Sequence, residues 1–73
     1  MMNEATIKAA LEAEFAGASI QVELDGSHCH ITVISETFEG LRPVTRQQRV
    51  YAPLREFIQS GALHAVNIVA NTP

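Results

Sequence analysis

The chain has a single cysteine, Cys29, among 73 residues, so no internal disulfide framework can form. With one cysteine and three histidines it has no Cys-x-x-Cys pair and too few ligands, at the wrong spacings, for a closed four-ligand zinc site. No apolar run approaches the roughly 20 residues that a membrane-spanning helix needs. The opening Met-Met-Asn-Glu-Ala-Thr lacks the basic stretch and apolar block of a secretory signal, and these readings together predict a cytoplasmic, non-membrane domain. Glycine-rich phosphate loops are missing, and no nucleophile is set beside a base by any recognisable motif, although Ser35, Glu36 and Glu39 lie close in sequence. No enzyme is expected. Basic residues are also scarce, five against eight acids for a net charge of −3, which argues against a surface that attracts nucleic acid as a whole.

What is present reads as one globular domain over residues 1–73. Hydrophobic residues make up 47% and charged residues 18%, a packed rather than disordered composition. A chain of this size buries only about 60% of its unfolded surface, enough for one thin core and no deep enclosed site. The few charges are segregated. Four of the five basic residues, Arg42, Arg46, Arg49 and Arg55, fall within fourteen positions, and seven of the eight acids precede them, so a local basic face on an acidic body is expected.

Ile7, Leu11 and Phe15 recur at steps of four with Ala10 beside them, which predicts a helix from Glu4 to Phe15 capped by Asn3 and stopped at Gly17. From Ser19 to Leu24 the alternation of Ile20, Val22 and Leu24 with Gln21 and Glu23 predicts a half-buried strand. Asp25-Gly26 then signals a tight hairpin. In the following strand, from His28 to Ser35, Cys29, Ile31 and Val33 share one face and His28, His30, Thr32 and Ile34 the other. If helices cover the first set, Cys29 points inward and both histidines outward. Phe38-Glu39-Gly40 should turn the chain, and Pro43 should open a helix running to about Gln59 with Val50, Tyr51, Leu54, Phe57 and Ile58 inside. Pro53 removes a backbone donor, so a kink near Val50 or two abutting helices are expected there. Gly61 should cap the element, and Val66, Ile68 and Ala70 alternate in a third strand from His64 to Asn71.

The order helix, strand, strand, helix, helix, strand predicts an α+β sandwich with helices on one face of a three-stranded mixed sheet. A helical crossover between the second and third strands makes them parallel and brings their starts to the same end. If they are neighbours, His28, His30 and His64 could gather beside the hairpin turn. Taken alone, lone histidines are more commonly packed or exposed polar residues than ligands. Two donors from one chain, with the rest from a partner, would nevertheless suit a bridging iron–sulfur cluster, where imidazole can replace thiolate.

Phe-x-Gly at Phe38–Gly40, Val44-x-Arg-x-x-Arg-Val-Tyr51 and Leu63-His64-Ala65 together resemble the BolA family, over roughly residues 4 to 73 and in its short-loop form. The resemblance implies a type II KH-like fold and an adaptor that pairs with a CGFS monothiol glutaredoxin. It further implies a shared two-iron two-sulfur cluster, ligated by this chain and by the partner with its glutathione, in iron–sulfur trafficking or in iron and stress regulation. The family's ligand pair is a histidine before the last strand, matched by His64, and a histidine or cysteine in or beside the first hairpin loop. Here that loop offers His28, Cys29 and His30. His28 ranks first; Cys29, softer as a ligand, ranks second because the alternation turns it inward. The alternative is a KH-like nucleic-acid-binding transcriptional regulator contacting phosphates through Arg42, Arg46 and Arg49. Against it, the chain has no Gly-x-x-Gly loop of the KH kind.

Overall fold

The structure, a computed structural model, describes residues 2–73. Helix α1 (Glu4–Glu14) is followed by β1 (Ser19–Asp25), β2 (His28–Ile34), α2 (Pro43–Tyr51), α3 (Arg55–Gln59) and β3 (Ala65–Asn71). One short 3-10 turn precedes α2 at Glu36–Phe38, and another joins α2 to α3 at Ala52–Leu54.

Each boundary has a local cause. Asn3, in extended backbone, accepts the Thr6 amide on its Oδ1 at 2.8 Å and so satisfies one of the orphan donors that open α1. The helix ends one residue earlier than its periodicity suggests, because Gly17 with φ +81° turns the chain and lets Ala18 N–H donate to Phe15. In the hairpin, Asp25 and His28 are paired, so the two loop residues are Gly26 and Ser27 and Asp25 is the last residue of the strand. Only Gly26 has positive φ, at +62°, the pattern of a turn with glycine first. Ahead of α2, Ser35 is buried and its Oγ accepts the Thr37 amide at 3.2 Å.

The expected break falls at Ala52–Leu54. Pro53 has no N–H to give, and the chain tightens there into the 3-10 turn before resuming as α3. One expectation is corrected. Val50 and Leu54, four apart, form the buried line, while Tyr51 lies about 100° further round the helix and is 41% exposed. Phe57 and Ile58 on α3 are half-buried against the core.

The sheet runs in the order β1-β2-β3, with β1 antiparallel and β3 parallel to β2. On the covered face Ile20, Cys29, Ile31, Val33 and Ala70 meet Ile7 and Leu11 of α1, Val50 and Leu54, and the turn residues Phe38 and Leu63. Phe38 is completely buried, and its ring stands 5.4 Å from that of Phe15, centroid to centroid, tilted by 59°. Burying such a side chain contributes roughly 1.5–3 kcal/mol, and the tilted pair adds about 1 kcal/mol.

Register pairing lines up the uncovered face in rows across the sheet: Asp25, His28, Ala65; then Glu23, His30, Asn67; then Gln21, Thr32, Val69. Both edges of the sheet are partly blunted by side chains. Glu4 Oε2 accepts the Leu24 amide at 2.9 Å, and Gln47 Nε2 donates to the Ile68 carbonyl at 2.7 Å.

Candidate functional site

His64 stands just before β3, and its position is set by the main chain. Its N–H donates to the Ser27 carbonyl at 2.9 Å, and the Ala65 amide approaches the same oxygen at 3.4 Å. The start of β3 is thereby fastened to the hairpin loop, one residue before His28. His28 pairs with Asp25 on one side and with Ala65 on the other. Both histidines are exposed.

The imidazole of His64 lies close to Gly61. A methyl group built on that glycine would come to 3.9 Å from Nε2. Gly61 has φ +81°, a conformation that L side chains rarely adopt, so the residue that ends the helical segment also leaves room beside the ring. His28, by contrast, belongs to the uncovered face with Asp25 and Ala65.

Cys29 faces the core, as the strand alternation predicts, and is fully buried and free. Burial pushes its thiol up from the ordinary value, and the carboxylate of Glu4, held against the paired residue Leu24, adds to the effect. A thiol so placed is held protonated, whereas a metal ligand must be thiolate. His28 is the more available donor of the two.

The gathering of three histidines does not occur. His30 is two residues further along β2, in the row with Asn67, whose Nδ2 lies 3.3 Å from His30 Nδ1. Among the described residues no group of three or more His, Cys, Asp or Glu side chains could hold a metal ion. Among the described residues, the hairpin end offers at most a pair of donors. Asn67 could not be assigned beside His30 from the sequence, since only the register of a parallel pair puts them in one row.

The arginines divide. Arg46 Nε donates to the Leu41 carbonyl at 2.9 Å, and Arg49 Nη1 reaches the Thr37 carbonyl at 3.5 Å, so both are turned onto the connection that leads into α2. Arg42 occupies the N-cap position of α2 without a side-chain capping bond, and Arg55 is exposed at the start of α3.

A three-stranded mixed sheet with helices on one face is the architecture expected from the order of elements. The family model described as "BolA-like protein" matches residues 7–73, and the chain belongs to this family. It is 42% identical over 71 residues to a protein of Acinetobacter guillouiae described only by its rpoN-murA intergenic position, covering 97% of this chain and 86% of that one. It is 44% identical over 54 residues to the acid stress protein IbaG of Escherichia coli K12, covering 74% of this chain and 64% of the relative. Among solved structures, BolA1 from Arabidopsis thaliana superposes with a TM-score of 0.86 at 31% identity, over 100% of this chain and 95% of that one. A BolA homologue from Coxiella burnetii gives 0.83 at 32% identity, over 100% and 94%. No helix is long and apolar enough to cross a membrane among the described residues.

Proposed function

We propose that the chain is a non-catalytic adaptor that pairs with a monothiol glutaredoxin and contributes ligands to a two-iron two-sulfur cluster shared with that partner and its glutathione. One observation carries the reading: the hydrogen bond from His64 N–H to Ser27, which brings the histidine before the last strand next to the hairpin loop that leads into His28. The donor chemistry fits. Imidazole coordinates iron when neutral, as histidine readily is near physiological pH, and both rings are exposed to a partner.

In this reading His64 is the first ligand and His28 the second. Cys29 is a reserve that would need the hairpin end to open, since its sulfur is buried and its thiol held protonated. The cluster would supply electron-transfer and iron–sulfur cargo chemistry, while this chain's residues supply two donors and a docking face. Gly61 leaves the His64 ring its space, and the Ser27 bond fixes where its backbone starts. With the acid stress protein IbaG among its relatives, a role in stress or iron regulation accords with the same reading.

The alternative, phosphate binding by Arg42, Arg46 and Arg49, has less support. Two of these three side chains are turned onto main-chain carbonyls of their own connection.

The test is to mix the purified chain with a cluster-loaded monothiol glutaredoxin and record the visible spectrum, with His64→Ala in parallel. The wild type should give a mixed histidine and thiolate signature, and the variant an all-thiolate one or none. A variant that unfolds readily while the complex keeps an unchanged spectrum would make His64 structural and remove the centre of the proposal.

A further inference from the structure

Helix α2 carries a second feature, on the side turned away from the core. Val44, Gln47, Gln48 and Tyr51 follow one another at helical spacing, and Arg55 extends the line beyond the 3-10 break. Val44 is 58% and Tyr51 41% exposed, in a chain with few large hydrophobic side chains left open. Gln47, Gln48, Tyr51 and Arg55 together line an open depression of about 190 Å³.

The charge on this face has been sorted by the fold. Arg46 and Arg49 are bonded to the carbonyls of Leu41 and Thr37, whereas Arg55 makes no such bond among the described residues and stands at the depression beside Tyr51. Gln47 spends its Nε2 on Ile68 and so steadies the wall of the depression, and the Gln48 carboxamide is exposed at its rim.

We propose that this face docks an acidic peptide segment of a protein partner, with a carboxylate on the Arg55 guanidinium and an apolar side chain against the Tyr51 ring. Charge complementarity selects that occupant. A guanidinium is a planar fork suited to one carboxylate, and a half-exposed tyrosine beside it gives the rigid, amphipathic contact area on which interface energy concentrates. A nucleic-acid backbone needs several cations along its track, and among the residues lining this depression Arg55 is the one cation. Carboxamides at the wall and rim offer donors and acceptors to a peptide main chain. The surface uses none of His28, Cys29 or His64, so it goes beyond the adaptor reading and can fail without it.

The experiment is a titration of the 15N-labelled chain, followed by amide shifts, with acetyl-Glu-Leu-Glu-Phe-Glu-amide, with its lysine-for-glutamate counterpart, and with a short oligodeoxythymidine. The acidic peptide should shift the amides of Gln47, Gln48, Tyr51 and Arg55 saturably. Arg55→Glu and Tyr51→Ala should each weaken it by roughly tenfold or more, with an unchanged melting temperature, while Arg42→Gln leaves it as it was. The proposal is overturned by no saturable shift at millimolar peptide, by equal binding of the lysine peptide, or by an unaffected Arg55→Glu variant. It is equally overturned by tighter occupation of the same amides by the oligonucleotide, which would make the face a nucleic-acid surface.

Discussion

The amide of His64 and the carbonyl of Ser27 are joined by a 2.9 Å hydrogen bond, although 37 positions separate them in the chain. It closes the parallel pairing of β2 and β3 at the end where the hairpin turns. The exposed His64 and His28 are thereby held next to each other's backbone without any side-chain contact between them having to form.

Removing the His64 ring should therefore cost the isolated domain little. The bond belongs to the main chain and survives in His64→Ala, and truncating an exposed side chain usually changes stability by no more than about 0.5 kcal/mol. Thermal melts of the variant and the wild type should nearly coincide.

Cys29 should react slowly with iodoacetamide in the native chain and rapidly in denaturant, because it is fully buried and its thiol is pushed above the ordinary 9.0. Fast native labelling would contradict its place on the covered face. The same shift has a stability consequence. With the folded value raised, the unfolded chain loses its thiol proton first, so this contribution is intact below pH 9.0 and declines as pH rises beyond it. The slope can reach at most about 1.4 kcal/mol per pH unit for one group, and it should be missing in Cys29→Ala when alkaline urea melts are compared.

Glu4→Gln should bring the Cys29 thiol back toward its ordinary value, since burial would remain and the carboxylate charge would be gone. Spectroscopic thiolate titration reads this directly. The main-chain bond to Leu24 can persist through the amide oxygen, so the loss of stability should stay near or below about 1 kcal/mol.

At the start of α1, Asn3→Ala removes the acceptor for the Thr6 amide and should lower stability by about 1 kcal/mol. In a domain of this size that is a fall in melting temperature of roughly 4–8 °C.

Gly61→Ala imposes a side chain on backbone at φ +81°, with a cost of about 1–2 kcal/mol. Its methyl would also stand 3.9 Å from His64 Nε2, ordinary contact rather than a clash, so the variant should fold and melt earlier. An unchanged melting temperature would mean that the cap is not held in this conformation.

Much of the fold is legible residue by residue, because it is written in local rules. The Ile7, Leu11, Phe15 spacing marks α1, the alternation around Cys29 marks β2 and its two faces, and Gly26 and Gly61 mark turns that need positive φ. Each is a property of a few neighbouring residues and of backbone sterics. Tyr51 shows the limit of such reading. A single helical wheel over 43–59 puts it inside beside Val50 and Leu54, and which of these neighbouring side chains reaches the core depends on what α2 packs against.

The site divides along the same line. From the sequence alone came the candidate donors, the inward turn of Cys29, and the expectation that the starts of β2 and β3 share one end. Only the tertiary structure decided that the register sets His28 against Ala65 and His30 against Asn67, that His64 bonds to Ser27, and that Arg46 and Arg49 turn onto carbonyls while Arg55 does not. The reason is physical: strand register and long-range side-chain bonds are fixed by the simultaneous packing of segments far apart in the chain, and no local spacing encodes which partner each segment meets.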